Sequence, residues 1–439
     1  MAQVPNNQII ISTYNPSPTM RDFFMPALIQ LQCKAGSVSG VANLPSSKSE
    51  SNRALMIRAY SGNLVEIRHL SEAADTKTLS EQLKETDSEY NAKDAGTTFR
   101  FLTSYLAFSQ KETTLTGSDR MKQRPIRLLV DALKTLGCQI EYLEKDDFPP
   151  IRFKPFEWSG KSEIAIDATI SSQYISSLMM AAPTLPAGLS IHLLNDIASL
   201  PYLKMTWALM QQAGIKGEFS ARTINIPHQP YTPCFLDVES DWSAASYFYG
   251  MVALSKAPSS LFLPGLKEDS LQGDAVIRHI ATHWGIETRF EKDGAWIERK
   301  SAIIPEKLEL DFLGFPDLGQ TLIVMCALSG TEAEFTGLQS LSIKETNRLL
   351  AMKSELLKIS IHIETDEIKG TCRIAGNQKP VVENPIFETY EDHRMAMSLS
   401  LVAVINSPIR IEKPEVVRKS FPGFWASLAN CGFETSVSE

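Results

Sequence analysis

One local pattern recurs six times along the chain and constrains the fold more than any other feature of the sequence. Each copy is a short polar or glycine-containing turn followed by an apolar stretch of helical length. Such recurrence is typical of a fold built from repeated units. The copies are SSKSESNRALMIRAY (46–60), DAGTTFRFLTSYLAF (94–108), SSQYISSLMMAAP (171–183), SDWSAASYFYGMVAL (240–254), PDLGQTLIVMCALSG (316–330) and EDHRMAMSLSLVAV (391–404).

The spacing of the copies is nearly constant after the first. The apolar stretches have no polar face, which predicts helices that are buried on all sides. Between them lie the segments LSIHLLN, SLFLPGL, TRFEKDGAWIER and IHIET, whose alternation or β-branched residues predict strands. From Pro125 onward, apolar residues on one face predict an amphipathic helix. The separations are 48, 75, 72, 74 and 75 residues, counted at Lys48, Gly96, Ser171, Ser243, Asp317 and Asp392.

The composition excludes several classes of protein. Hydrophobic residues make up 43% and charged residues 21%, which excludes intrinsic disorder and collagen. A length of 439 residues predicts two or three domains at roughly 150 residues per domain. The formal net charge of −8 argues against general nucleic-acid binding, which needs a basic surface.

The cellular location is predicted from three features. The six cysteines are scattered without a CxxC pair, which is typical of reduced thiols and not of a zinc site. The longest charge-free stretch, 168–195, contains two prolines and several serines, so no membrane span is predicted. Residues 1–25 are polar, show no export signal and are interpreted as a loose N-terminal extension. We predict a cytoplasmic protein.

The starts of the predicted helices carry cations and polar groups. One interpretation is a generic α/β fold whose buried helices begin with ordinary Ser, Thr or Asp caps. The other is an anion site, because free N–H groups and the helix dipole attract negative charge. Several cationic starts together favour a phosphate-rich ligand. The residues concerned are Lys48, Arg53, Arg100, Gln173, Asp317, His393 and Arg394.

A set of ordered motifs runs along the chain. They are SSKSESNRAL, DAGTTFR, RMKQRP, SSQ, SLPY, SDWSAAS, PDLGQT, IKETNR, EDHRMAM and RKSFPGF. The combination of KxSxSNR, KETxR and DHRMAM is specific, although each motif alone is weak. In this order the motifs resemble one known family, 3-phosphoshikimate 1-carboxyvinyltransferase, also called EPSP synthase. The resemblance runs from about residue 38 to about residue 433.

The resemblance implies a two-domain inside-out α/β barrel built from six βαβαββ units, three in each domain. One domain would comprise residues 26–46 and 242–439, and the other residues 47–241. The chain would cross between them near Ser46 and Asp241. The ligands would bind in the cleft between the domains.

The resemblance also implies the reaction. The 5-hydroxyl of shikimate 3-phosphate attacks C2 of phosphoenolpyruvate, C3 takes a proton, and loss of phosphate gives the enolpyruvyl product. No metal or organic cofactor is implied. The partners are the two small-molecule substrates, with neither nucleic acid nor membrane, and a monomer is expected because the cleft is intramolecular.

Two sets of ligand-binding residues follow from the matched motifs. Clustered Arg and Lys suit substrates that each carry a phosphate and a carboxylate. The assignment of Gly96 also has a physical reason, because a residue without Cβ lets the backbone N–H approach a ligand closely. For shikimate 3-phosphate the set is Lys48, Ser49, Arg53, Ser171, Ser172, Gln173, Ser199, Tyr202, Asp317 and Lys344. For phosphoenolpyruvate the set is Lys48, Gly96, Arg124, Gln173, Arg348, Arg394 and Lys419.

Three residues are assigned to catalysis by the resemblance: Asp317, Glu345 and Lys48. Asp317 would take the proton of the 5-hydroxyl, although a helix N-cap is its simpler interpretation. Glu345 would donate to the methylene carbon, which near neutral pH requires a raised pKa.

Two other patterns have simpler interpretations. Lys344 and Arg348 at i,i+4 would alone suggest a surface ion-pair helix. His279 and His283 have zinc spacing but no third ligand, and we interpret that pair as coincidence.

The sequence departs from the family pattern at several positions. Asp94 and Phe101 are expected to flank the phosphoenolpyruvate pocket. An unpaired carboxylate there would repel an anion and lower the affinity for phosphoenolpyruvate and for its mimic glyphosate. Ser340 puts one shikimate 3-phosphate contact in question. The departures are Ser46 for Gly, Asp94 for Asn, Phe101 for Pro, Ala244 for Ser, Ser340 for Asn, Asn347 for Asp and Glu391 for Asn.

Two rival functions are weighed against this one. UDP-N-acetylglucosamine enolpyruvyl transferase shares the fold and donor, but it carries a Cys on a loop that has none here between Arg120 and Pro125. A non-catalytic binder of phosphorylated metabolites is the second rival. Retention of Asp317, Glu345 and the matched cations argues against it.

Overall fold

The computed structural model describes residues 28–438 apart from 86, 170, 257, 382–383 and 406–407. The predicted extension at 1–25 lies outside the described residues. Thirteen α-helices occur in the described part, and none has the length and apolarity needed to cross a membrane. They are α1 Lys48–Tyr60, α2 Ala74–Gln82, α3 Gly96–Ala107, α4 Arg127–Thr135, α5 Ser172–Ala181, α6 Leu200–Gln212, α7 Trp242–Leu254, α8 Ile277–Ile280, α9 Gly319–Ser329, α10 Arg348–Leu357, α11 His393–Leu399, α12 Val402–Ile405 and α13 Phe424–Asn430.

The strands of the described residues form six sheets. Three come from the middle of the chain, each given in spatial order: Glu89–Asn91, Thr113–Thr116, Ile151–Phe153, Ile140–Tyr142; Glu218–Phe219, Thr223–Ile226, Leu189–Leu194, Glu163–Asp167; and Cys234–Asp237, Val65–Arg68. The other three are Ile386–Phe387, Ile409–Glu412, Leu28–Gln32, Glu434–Ser438; Ile286–Glu291, Gly294–Arg299, Ser259–Pro264, Ser39–Val41; and Lys307–Asp311, Glu332–Thr336, Thr371–Ile374, Ile363–Asp366.

The sheets repeat one pairing pattern. In every four-stranded sheet one edge pair is parallel and the other two pairings are antiparallel. The two-stranded sheet is a parallel pair. A parallel pair needs a long crossover, and here that crossover contains a helix. The repeated α/β unit predicted from the sequence is therefore confirmed.

The central helices are buried as their composition predicts. In α7 every residue from Trp242 to Ala253 is buried, and in α9 every residue from Gly319 to Leu328. All seven residues of α11 are buried. The sheets cover these helices, because helices without a polar face are stable only when surrounded by protein. The buried apolar residues form two separate cores, one from residues 54–236 and one from 29–42 with 242–433.

The amphipathic helix begins later than predicted. The prediction started it at Pro125, but α4 begins at Arg127. Ile126 has non-helical backbone angles, and its N–H donates to the carbonyl of Asp147. Its apolar face is buried as expected. Arg124 therefore lies in an extended segment before the helix.

The chain passes between the two cores at two adjacent points. Ser46 and Ser240 form an antiparallel bridge where these passages lie side by side. Contacts also cross between the cores elsewhere: the guanidinium of Arg120 donates to the carbonyl of Lys344, and the N–H of Ser199 donates to the carbonyl of Leu313. The two halves are thereby in contact on both sides of a cleft.

Candidate active site

A cavity lies between the two cores. Its walls are the starts of α1, α3, α5 and α6 on one side, and the turns before α9, α10 and α11 on the other. All the predicted site residues but Lys419 line it, namely Lys48, Ser49, Arg53, Gly96, Arg124, Ser171, Ser172, Gln173, Ser199, Tyr202, Asp317, Lys344, Glu345, Arg348 and Arg394. Lys419 lines an adjoining cavity that shares Arg124 and Glu345 with the first.

Asp317 lies among cations in a 3₁₀ turn before α9. It makes no capping hydrogen bond, so the simple N-cap interpretation is wrong. Nη2 of Arg394 lies 2.9 Å from its Oδ2, and Nζ of Lys344 lies 3.8 Å from its Oδ1. Burial favours the neutral carboxyl, but Arg394, Lys344 and Arg348 outweigh it and hold the pKa of Asp317 well below its usual range.

Glu345 is also surrounded by positive charge. Nη2 of Arg348 lies 2.9 Å from its Oε2, and Nζ of Lys419 lies 3.2 Å from its Oε1. Burial opposes ionisation, but Lys419, Arg348 and other cations outweigh it and hold the pKa of Glu345 well below its usual range. This direction is opposite to the raised pKa that a proton donor needs.

Lys48 begins α1 and is oriented by a residue distant in the chain. Its Nζ lies 3.1 Å from Oδ2 of Asp75, near the start of α2, and both side chains are largely buried. The N–H of Lys48 also donates to Oδ2 of Asp241, whose other oxygen caps α7. Asp75 therefore orients the ammonium group, and Asp241 ties the start of α1 to the start of α7.

Arg53, in the second turn of α1, is almost fully buried. Its Nε donates to Oγ1 of Thr206 at 2.7 Å and its Nη1 to the carbonyl of Ser49 at 2.9 Å. The guanidinium lies against the rings of Phe101 and Tyr202. Burial lowers the pKa of Arg53 to about 10, which leaves it charged at neutral pH.

Gly96 allows two guanidinium groups to converge. A Cβ at Gly96 would lie 2.5 Å from Nη1 of Arg124 and 2.6 Å from Nη1 of Arg100. The Nε atoms of both arginines are buried without a hydrogen-bond partner in the described part of the chain. Burial, reinforced by the charge of Arg100, lowers the pKa of Arg124 to about 10. Glycine at this position therefore makes room for paired cations as well as for a ligand.

The remaining polar groups reach the cleft from α5 and α6. The hydroxyl of Ser171 makes no capping bond, so the capping alternative does not hold for it. Nε2 of Gln173 donates to Oγ1 of Thr97 at 2.9 Å. Ser199 has a φ of 59°, a conformation uncommon outside glycine that clusters at functional sites. The hydroxyl of Tyr202 donates across the cleft to Asp317.

Lys344 and Glu345 precede the helix that the i,i+4 spacing suggested. The segment Gln339–Ile343 is 3₁₀, and α10 begins only at Arg348, with Asn347 as its N-cap. Lys344 and Glu345 therefore face the cleft from a turn. The surface ion-pair interpretation of Lys344 and Arg348 is wrong.

The comparisons with known proteins agree with one another. The sequence model of the family described as EPSP synthase (3-phosphoshikimate 1-carboxyvinyltransferase) matches residues 79–428. A 3-phosphoshikimate 1-carboxyvinyltransferase of Bacteroides fragilis strain YCH46 is 40% identical over 405 residues, 92% of this chain and 97% of that protein. The chain belongs to the EPSP synthase family. It is an enolpyruvyl transferase that moves the enolpyruvyl group of phosphoenolpyruvate to shikimate 3-phosphate in aromatic biosynthesis.

More distant relatives support the same assignment. The enzyme of the same name from Photobacterium profundum is 33% identical over 422 residues, 89% of this chain and 96% of that protein. Among solved structures, EPSP synthase from Acinetobacter baumannii has a TM-score of 0.75 at 20% identity and covers 94% of this chain and 100% of its own. The enolpyruvyl transferase NikO from Streptomyces tendae has a TM-score of 0.73 at 12% identity over 94% and 99%. The predicted enolpyruvyl transferase fold is confirmed.

The departures from the EPSP synthase pattern lie mostly outside the main cavity. Asp94 lines the adjoining cavity and accepts a hydrogen bond from the hydroxyl of Ser118, with no ion pair in the described residues. Phe101 is fully buried beneath Arg53 and does not line the main cavity, contrary to prediction. Ser340 does line it, and its hydroxyl has no hydrogen-bond partner in the described part.

Several residues of this EPSP synthase cleft were not assigned a role from the sequence. Asp75 lies 27 positions after Lys48, and no local pattern connects them. Thr97 lies in the first turn of α3, and Arg100, which the sequence placed among the cationic helix starts without assigning it a ligand, lies one turn after Gly96. No cysteine lines the cleft in the described residues, and no group of three or more His, Cys, Asp or Glu there could hold a metal ion.

Proposed function

We propose that this cleft performs the transfer with Asp317 and Glu345 as the two proton-transfer groups. The observation that carries the proposal is the position of Arg348 between them. Its Nη1 lies 3.6 Å from Oδ1 of Asp317, and its Nη2 lies 2.9 Å from Oε2 of Glu345. One buried guanidinium thus holds both carboxylates at a fixed separation, as opposite proton transfers at C3 and at the 5-hydroxyl require.

In the addition step, the 5-hydroxyl oxygen attacks C2 while its proton moves to Asp317 and a proton from Glu345 moves to C3. In the elimination step, Glu345 takes a proton back from C3 and the bond from C2 to the phosphate oxygen breaks. The leaving phosphate takes the proton from Asp317. Protons and bonds balance, and both carboxylates return to their starting state.

The substrates themselves supply the change in proton affinity that Glu345 needs. The cations that hold its pKa low, above all Lys419 and Arg348, are also proposed ligands of phosphoenolpyruvate. When the anionic substrate pairs with them, their effect on Glu345 weakens and its pKa rises. The donor is therefore created by substrate binding.

The two ligand sets are assigned to two sides of the cleft. Shikimate 3-phosphate is assigned to the side lined by Ser49, Arg53, the α5 start and Tyr202, with Lys344 and Asp317 opposite. Phosphoenolpyruvate is assigned to the side where Gly96, Arg124, Arg348, Arg394 and Lys419 converge. Lys48 and Gln173 are assigned to both ligands. The gathering of Arg348 and Lys419 around Glu345, the proposed donor to C3, supports the assignment of phosphoenolpyruvate to that side.

We also propose the domain division at residues 26–46 with 242–439 and at 47–241, and a cytoplasmic monomer. The two separate cores support the division. The monomer is supported by a cleft that one chain builds alone, and the cytoplasm by six scattered cysteines without a CxxC pair. Sedimentation of the purified chain with and without both substrates tests the monomer.

The test of the catalytic assignment is Asp317→Asn. We expect binding of shikimate 3-phosphate to survive, because the amide keeps the shape of the side chain, while phosphate release from the two substrates falls by about 10²–10⁴-fold. Asp293→Asn, on an exposed hairpin turn, is the matched control and should leave turnover unchanged. Near-normal turnover of Asp317→Asn would contradict the base assignment. A parallel assay with UDP-N-acetylglucosamine as acceptor should release no phosphate.

A further inference from the structure

A second buried carboxyl group lies behind Asp317 and has no role in the mechanism above. Asp274 belongs to the 3₁₀ turn Gly273–Val276 and is 5% exposed. The hydroxyl of Tyr202 lies 3.1 Å from Oδ2 of Asp317 and 3.4 Å from Oδ2 of Asp274. One phenol therefore bridges the two carboxyl groups. Oδ1 of Asp274 has no hydrogen-bond partner in the described part of the chain.

Gln272, two residues before Asp274, fixes the loop that carries Asp274. Nε2 of Gln272 donates to the carbonyl of Ser240 at 2.8 Å, and Oε1 of Gln272 accepts from the N–H of Trp242 at 2.9 Å. The loop is thereby tied to the start of α7 and to the point where the chain passes between the cores. Asp274 is therefore carried by an anchored loop, and its side chain is buried.

The charged groups that face Asp274 come from every element around it. Asp317 and Arg394 lie on one side, and Asp241 at the start of α7 on another. Tyr202 approaches from α6, and Lys48 from α1 lines the same small cavity. Arg394 pairs with Asp317 at 2.9 Å and has no ion pair with Asp274 in the described residues. The cation that acts on Asp274 is therefore paired with the other carboxylate.

The two carboxyl groups differ strongly in proton affinity. The cations around Asp317 hold its pKa well below its usual range, against the effect of burial. Burial and the charge of Asp317 raise the pKa of Asp274 to about 7. Burial and both carboxylates raise the pKa of Tyr202 well above its usual value, so its hydroxyl keeps a proton to pass on. A proton received by Asp317 is therefore more stable on Asp274.

We propose that Asp274 is the terminal acceptor of a proton relay that runs from Asp317 through the hydroxyl of Tyr202. As the carboxyl of Asp317 gives its proton to Oη of Tyr202, the phenol gives its own proton to Oδ2 of Asp274. Reversal of the two transfers returns the proton to Asp317 when phosphate leaves. Asp274 touches no reacting atom and is a positioning residue. The relay rests on the proposed role of Asp317 as the base.

The test is the pH dependence of kcat for Asp274→Asn, at saturating substrates between pH 5.5 and 9. In the unsubstituted enzyme kcat should rise through about pH 7, because Asp274 must be unprotonated to accept. In the variant that rise should be absent. Above pH 8 its kcat should be about one tenth of the kcat of the unsubstituted enzyme, or lower still. Uniform loss at every pH with the rise retained would show a structural role and overturn the relay, as would an unchanged kcat.

A second variant removes the bridge without touching Asp274. Tyr202→Phe should abolish the same rise in kcat, and the double variant should be no slower than the slower single variant, because both interrupt one path. Additive losses would overturn the proposal.

Asp317→Asn separates the relay from the base assignment. If this variant is inactive while Asp274→Asn keeps both the rise with pH and the kcat of the unsubstituted enzyme, only the relay fails. If Asp317→Asn is active, the base assignment fails. Thermal unfolding verifies that each variant is folded.

Discussion

Arg348 and Asp392 form an ion pair that is sealed inside the protein, with Nε of the arginine 2.7 Å from Oδ2 of the aspartate. The two side chains are 2% and 0% exposed. Oδ1 of Asp392 also accepts from Nη2 of Arg348 and from the N–H of Arg394. One carboxylate thus orients two of the cations proposed to hold phosphoenolpyruvate. Burial disfavours the charge on Arg348, but Asp392 and Glu345 outweigh it and raise the pKa of Arg348.

Asp392→Asn should destabilise the fold markedly. The substitution leaves the buried guanidinium of Arg348 without its main counter-charge, and breaking a buried pair costs about 3–5 kcal/mol. The measurement is urea unfolding at neutral pH in the absence of substrates. Asp131→Asn, which breaks the exposed i,i+4 pair with Arg127 at the surface of α4, is the matched control and should change little. Equal effects of the two substitutions would contradict the importance of burial here.

Arg124→Ala should separate the two substrates. Its guanidinium lies beside Gly96 and Arg100, on the side of the cleft assigned to phosphoenolpyruvate. Loss of one charge-assisted contact costs about 1.5–3 kcal/mol, or roughly 10- to 100-fold in affinity. Binding titrations should show that loss for phosphoenolpyruvate and little change for shikimate 3-phosphate.

The control for this substitution is Arg127→Ala, which removes an exposed arginine only three residues further along the chain. It should alter neither affinity. If Arg124→Ala weakened both substrates equally, the division of the cleft between them would be wrong.

Glu50→Gln should flatten the pH dependence of stability. Glu50 is buried where the chain passes between the cores, and its Oε2 accepts from the N–H of Glu239. Burial, with the charge of Glu239, raises the pKa of Glu50 from 4.5 to about 8. The folded state therefore holds a proton that the unfolded chain releases, so this contribution is complete below pH 4.5 and is lost as the pH rises to about 8.

Urea unfolding between pH 4.5 and 8.5 checks the Glu50 prediction. The free energy of unfolding should fall with rising pH in the unsubstituted chain and fall less in Glu50→Gln, because the amide stays neutral. Glu72→Gln, at an exposed position on the same half of the chain, should leave the slope unchanged. A Glu50→Gln slope equal to that of the unsubstituted chain would show that Glu50 is ionised throughout.

Much of the fold follows from local patterns that the structure confirms. The stretches at α7 and α9 have no polar face, and a helix of that kind must be surrounded by other elements. Alternation placed the strands Leu189–Leu194 and Ser259–Pro264 correctly. The start of α4 was misplaced by two residues, because the N–H of Ile126 bonds to Asp147, a contact that periodicity does not contain.

The site residues were predictable where several of them belong to one sequence motif. Lys48, Ser49 and Arg53 share one helix start, and their residue types already suit an anion. Asp75 and Asp274 were missed because each acts on a partner outside its own segment: Asp75 on Lys48, and Asp274 on Tyr202. Neither carries a local signal that distinguishes it from an ordinary acidic residue.

The repeated α/β unit, the buried helices and the cationic helix starts can be read from the sequence, because periodicity and residue type act over a few neighbouring positions. Which charges meet depends on how distant segments pack. Asp317 and Arg394 are 77 residues apart, yet their atoms lie 2.9 Å apart in a buried site. The proton affinity of a carboxyl group depends on burial and on charges within a few ångströms, and those distances exist only once the two halves have packed together.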